Sequence, residues 1–134
     1  MKVRNIIMPA VFCLYLAGVA LLCFTHGSNL PNITGTWFGM QADKVAHAAM
    51  FLPFIPLAYF TFRRKRSSSG MKFMILTALM GIGIFTAFMT EVIQDVLGYR
   101  SYETEDFLSD CIGLVPGYVI ITLGILVKKL RKRT

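Results

Sequence analysis

The chain has 134 residues, 55% of them apolar and 16% charged, with a mean hydropathy of +0.61 and a formal net charge of +7. Ordinary soluble domains run roughly 45–50% apolar and about 25% charged, so this composition excludes a sizeable soluble domain and, by its hydrophobicity, intrinsic disorder. Four bilayer crossings of about 20 residues each fit the length with short connections, which predicts one all-α, polytopic membrane domain over residues 1–134.

The first apolar run is Ile6–Phe24. Lys2 and Arg4 precede it, as in a signal peptide, but the stretch is long for that role and no A-x-A site follows. It reads as a spanning helix, with Pro9 in its first turn, where proline is tolerated. A loop over Thr25–Ala42 follows, with Pro31, Gly35 and Gly39 as breakers and Trp37 and Phe38 as candidate interfacial aromatics. His26 reads as a loop residue, and Asn32-Ile33-Thr34 is a glycosylation sequon by pattern alone.

The second run is Val45–Phe62, the third starts near Phe73, and the fourth spans about Phe107–Val127. The third continues past Met89 to Leu97, with Gly98 as its stop. None alternates as barrel strands do, so helices are the way to satisfy the backbone in lipid. Gly81, Gly83, Ala78 and Ala87 are small residues that suit close packing of the third helix. Ser67-Ser68-Ser69-Gly70 reads as a flexible turn.

Charge placement sets the orientation. Twelve of the 14 lysines and arginines lie in the N-terminus, the loop after the second run and the C-terminal tail; the others are Lys44 and Arg100. The positive-inside rule then puts both termini in the cytoplasm. Basic loops beside spanning helices are topology signals that also touch anionic lipid heads, a reading that displaces nucleic-acid binding. All seven acidic residues fall at the opposite, outer side. The three cysteines, Cys13, Cys23 and Cys111, have no metal-ligand spacing and read as inert thiols.

The outer side therefore holds a mixed-charge cluster. Asp43, Lys44 and His47 open the second helix, and positions 43 and 47 share a face. Asp43 reads as an N-cap or dipole partner. Glu91 and Gln94 lie near the end of the third helix. Asp106 and Asp110 share a face at the start of the fourth, and Arg100 sits in the loop between. Ionisable side chains within a span face the bundle interior or a wet cavity, so these groups are expected to meet in a largely charge-compensated pocket. Asp95, Glu103 and Glu105 read as solvated surface, and Tyr99 and Tyr102 as interfacial anchors. The bland alternative is a buried ion-pair network that only fixes helix register.

These residues fall into three motifs. Asp43-Lys44-Val45-Ala46-His47, Glu91-Val92-Ile93-Gln94, and Arg100-Ser101 followed by Asp106, Asp110 and Gly113 occur in order across residues 40–118. The pattern resembles VanZ-like membrane proteins, with D-K-x-x-H, E-x-x-Q and R-S/T-x(n)-D-x-x-x-N-x-x-G; Asp110 stands where the family usually has asparagine. The resemblance implies a small multi-helix protein of the bacterial cytoplasmic (inner) membrane with a cell-envelope role. The founding member is linked to low-level teicoplanin resistance, a form of antibiotic resistance, but the resemblance supplies no reaction.

Three functions fit the residues. In the first, Lys44 and Arg100 hold an anionic membrane lipid or lipid-linked phosphate, while Glu91, Gln94, Asp106 and Asp110 orient the cations and the ligand. In the second, an intramembrane enzyme uses His47 as general base, with Asp43 or Glu91 orienting it and Arg100 stabilising developing charge; a metal version uses His47, Glu91 and Asp106. Proton-coupled transport ranks last, because the inner half carries no polar steps. The sequence leaves the cofactor open, and a homodimer is one way for so few helices to enclose a site.

Overall fold

The computed structural model describes residues 2–25, 35–37, 39–63, 67–98 and 101–131. His26, Pro31, the sequon at 32–34, Phe38, Arg64, Lys65, Arg66, Tyr99, Arg100, Lys132 and Arg133 lie outside them. The helices are α1 (Lys2–Phe24), α2 (Ala42–Phe51), α3 (Phe54–Phe62), α4 (Ser69–Val96) and α5 (Thr104–Leu130). They supply four segments long and apolar enough to cross a membrane: Ile6–Phe24, Ala42–Phe62, Ser69–Val96 and Thr104–Leu130. The predicted all-α architecture is thus present, and each of the four spans extends beyond its apolar run at one end or both, where flanking polar residues continue the backbone hydrogen bonding.

Three local details differ from the sequence reading. Since α1 begins at Lys2, Pro9 lies two turns in rather than in the first turn. The second span is two helices, because Leu52 and Pro53 form a turn between α2 and α3. Proline lacks an N–H and its ring crowds the carbonyl four residues back, so Pro53 interrupts a run whose hydropathy reads as continuous. The connection before α2 carries a two-residue antiparallel ribbon, β1 (Thr36–Trp37) and β2 (Met40–Gln41), pairing Thr36 with Gln41 and Trp37 with Met40. Gly35 precedes it and Gly39 lies in its turn, both with positive φ, and the Ala42 N–H donates to the Gly35 carbonyl (3.0 Å), tying the ribbon to the start of α2.

At the two ends of α4, one sequence signal is revised and one holds. Ser68 caps α4, its hydroxyl accepting from the Met71 N–H (3.2 Å), a capping role rather than a flexible turn. Gly98, at φ +67, follows the last turn of α4 as the stop.

The apolar core runs along the middle of the bundle. Phe51, Ile55, Leu76, Ala87 and Leu114 are buried in it, and Phe12 of α1 meets Phe54 edge-on with ring centroids 5.8 Å apart. α5 approaches the second span closely. A Cβ on Gly113 would stand 2.2 Å from the Ala48 carbonyl oxygen, and one on Gly117 would stand 2.6 Å from the Pro56 ring. This is small-xxx-small packing, which lets backbones come together where lipid supplies no hydrophobic drive. Of the small residues expected to pack on α4, Gly83 and Ala87 are buried, whereas Gly81 and Ala78 are exposed; the main glycine seam lies instead on α5. Large apolar side chains such as Leu14, Phe85, Ile120 and Leu123 project outward, as a lipid-facing exterior requires.

Candidate functional site

The α2–α5 seam controls the site. Both helices begin at the same end of the bundle, and Gly113 holds them close enough for the side chains above it to interlock. His47 lies five residues inside α2, Asp110 six inside α5 and Glu91 five before the end of α4. At 1.5 Å per residue all three sit about 8 Å in from the helix ends. Equal depth is why three helices can bring them together.

The side chains do meet. His47 Nδ1 lies 3.0 Å from Asp110 Oδ1 and 3.8 Å from Glu91 Oε1, while Nε2 lies 3.5 Å from Asp106 Oδ2. Toward the mouth of the cluster, Lys44 Nζ lies 3.3 Å from Asp106 Oδ1, 2.9 Å from Glu105 Oε2 and 3.5 Å from Glu103 Oε2. Asp106 therefore bridges the lysine and the histidine through different oxygens. Lys44, His47, Glu91, Asp106 and Asp110 are all buried, the two aspartates at 1% exposure. Burying ions is costly unless they are paired and hydrogen-bonded, so this group is tightly defined.

The remaining sequence candidates have other placements. Gln94 is buried, but its side-chain amide donates to the Cys23 carbonyl (2.7 Å), joining α4 to the last turn of α1. Asp43 is half-buried and accepts from the Lys44 backbone N–H (2.9 Å). It is not the N-cap, a position held by Gln41, because α2 starts earlier than the apolar run. Arg100 lies outside the described residues. Asp95 is exposed, as expected, and accepts from the Tyr102 N–H (3.2 Å).

Glu103 and Glu105 differ from the solvated-surface reading in part. Their side chains are 50% and 74% exposed, yet both face Lys44. The sequence did hold a signal. Two parallel helices starting at one depth set position 44, the third residue of α2, level with the first turn of α5. Ser109 and Thr90 are buried polar groups as well, but each hydroxyl donates to a carbonyl on its own helix, of Glu105 and Ala87 (both 2.8 Å).

A family pattern described as VanZ/LLP1 matches residues 12–127. The chain belongs to the VanZ/LLP1 family. Comparison with curated proteins and with solved structures gives no match. The match begins within the first span, ends within the fourth and includes the three motifs of this VanZ-like protein. Among the described motif residues, Lys44, His47, Glu91, Asp106 and Asp110 converge.

Chemically, the arrangement is an imidazole with a carboxylate at each nitrogen. One carboxylate can fix the tautomer while the opposite nitrogen accepts a proton or binds a cation.

Proposed function

We propose that this VanZ/LLP1 protein binds an anionic lipid or a lipid-linked phosphate at the polar end of its bundle and so modulates the supply of a cell-envelope precursor. The observation behind this reading is the convergence of five buried ionisable side chains from α2, α4 and α5 in a chain whose other buried surface is mostly apolar. Their depth, about 8 Å at 1.5 Å per residue, suits contact with headgroups at the edge of the hydrocarbon. In the proposed orientation the chain lies in a bacterial cytoplasmic membrane with both termini inside. The described residues Arg63, Lys72, Lys128, Lys129 and Arg131 at the opposite end support it. Lys44 and Arg100 supply the positive charge for the headgroup, and increased teicoplanin tolerance on expression is a downstream readout.

The test is native mass spectrometry of gently extracted protein. Wild type is expected to carry an anionic lipid that Arg100→Ala and Lys44→Ala release; bare wild type in several mild detergents would refute the reading.

A second reading, catalysis on a lipid-linked substrate, draws on one contact. Asp110 at 3.0 Å from His47 Nδ1 is a base-and-orienter pair with Nε2 turned to Asp106. Conversion of envelope lipid extracts by wild type but not by His47→Gln, followed by mass spectrometry, is its expected signature.

A further inference from the structure

Among the described residues, the buried part of the site is rich in negative charge. Lys44 stands against Glu91, Asp106 and Asp110, so with a neutral imidazole and ionised carboxylates the sum is −2. Lys44 is also occupied, with carboxylate oxygens of Glu103, Glu105 and Asp106 around its ammonium.

Two atoms point to what the cluster accommodates. Glu91 Oε1 and Asp110 Oδ2 are buried and make no hydrogen bond. An unsatisfied buried carboxylate oxygen costs several times the net value of an ordinary hydrogen bond. Glu91 is 2% exposed, and its Oε1 faces the imidazole. One donor atom each from His47, Glu91 and Asp106 also lies within 4.8 Å of the other two.

We propose that His47, Glu91 and Asp106 hold a divalent metal ion, and that this ion receives the anionic headgroup. The second half rests on the headgroup reading above; the first does not. One imidazole and two carboxylates suit a borderline dication such as zinc or manganese. Asp110 on Nδ1 turns Nε2 toward Asp106 and is the carboxylate that orients a metal-binding histidine. Asp106 Oδ1 accepts from Lys44 (3.3 Å), and its Oδ2 lies 3.5 Å from His47 Nε2. Donors about 2.0–2.2 Å from zinc in a tetrahedral set stand roughly 3.4 Å apart, so loading draws these side chains together by about 1 Å. Three protein ligands leave a position open, which gives a phosphate oxygen a direct partner in an otherwise acidic pocket. The dication also offsets the −2.

The test uses the full chain in detergent micelles, stripped with chelator and titrated calorimetrically with zinc or manganese. About one ion per chain is expected, with a higher melting temperature. Glu91→Gln and His47→Gln are expected to weaken binding at least about tenfold, the lower bound for outer-shell losses at metal sites. Stripped Glu91→Gln should melt no lower than stripped wild type, which separates ligand loss from misfolding. Absence of binding to stripped wild type, or equal binding by both variants, overturns the metal centre. Native mass spectrometry of loaded and stripped protein then separates the two readings. Lipid held only by loaded protein supports both. Lipid held equally by stripped protein overturns the bridging role and leaves the headgroup reading intact. Metal binding with no lipid in either form supports the metal centre alone and counts against the headgroup reading.

Discussion

The two halves of the second span are packed against the same helix by different physics. In α3, Ile55, Ala58 and Tyr59 bury apolar surface, and Pro56 sits over Gly117. In α2, Lys44 and His47 reach polar partners on α5 and α4, and the Ala48 backbone sits over Gly113. The α3 contacts are fixed by shape alone, because dispersion is not directional. The α2 contacts add a directional demand, because a buried ion displaced from its partner loses most of its compensation. The glycine seam thus positions the charged groups and the charged groups set the register.

The largest effect should come from breaking the seam shared by both halves. Gly113→Val places a side chain where even a Cβ would be 2.2 Å from the Ala48 carbonyl. Overpacking typically costs about 1–3 kcal/mol and occasionally more, and backbone contact puts this site at the upper end. Loss of folded protein in fluorescence-detected size exclusion is the expected result. Asp106→Leu comes next. It removes the carboxylate shared by Lys44 and His47 and should cost about 3 kcal/mol, read as a shifted midpoint of unfolding in sodium dodecyl sulfate. Lys44→Met combined with Asp106→Leu should recover a large part of that loss while remaining defective in ligand binding. Full recovery of both would reduce the cluster to a structural ion pair.

Smaller effects sharpen the contrast between depth and surface. Gln94→Leu removes one buried hydrogen bond to Cys23 and should cost about 1 kcal/mol in the same unfolding assay. Glu105→Gln alters a lysine partner that is 74% exposed. Exposed pairs contribute about 0–1 kcal/mol, so its midpoint should move little, and salt should screen the difference.

The four spans were legible because a bilayer demands long apolar runs, and this chain meets the demand without ambiguity. The convergence of His47, Glu91, Asp106 and Asp110 was legible for a related reason: each lies a fixed number of residues from a helix end, so all reach one depth. The break at Pro53 was not, because hydropathy reads Phe51 through Phe54 as uninterrupted. The small-residue packing was legible on α4 only for Gly83 and Ala87, and the tighter glycine contacts lie on α5. Gly81 and Gly83 are as small as Gly113 and Gly117, and only the lateral order of helices decides which pair faces a neighbour. Glu103 and Glu105 escaped because both side chains are half or more exposed while their partner, Lys44, is buried and distant in sequence.

The Pro53 turn has a consequence for the first span. Interrupting a span leaves carbonyls at the end of α2 without their helical donors, a serious defect in hydrocarbon. The Tyr15 hydroxyl of α1 donates to one of them, the Met50 carbonyl, at 2.7 Å. The least buried span, α1 at 11%, thus closes a backbone defect in its neighbour, and Tyr15→Phe should reopen it at a cost of about 1 kcal/mol, the net value of one hydrogen bond.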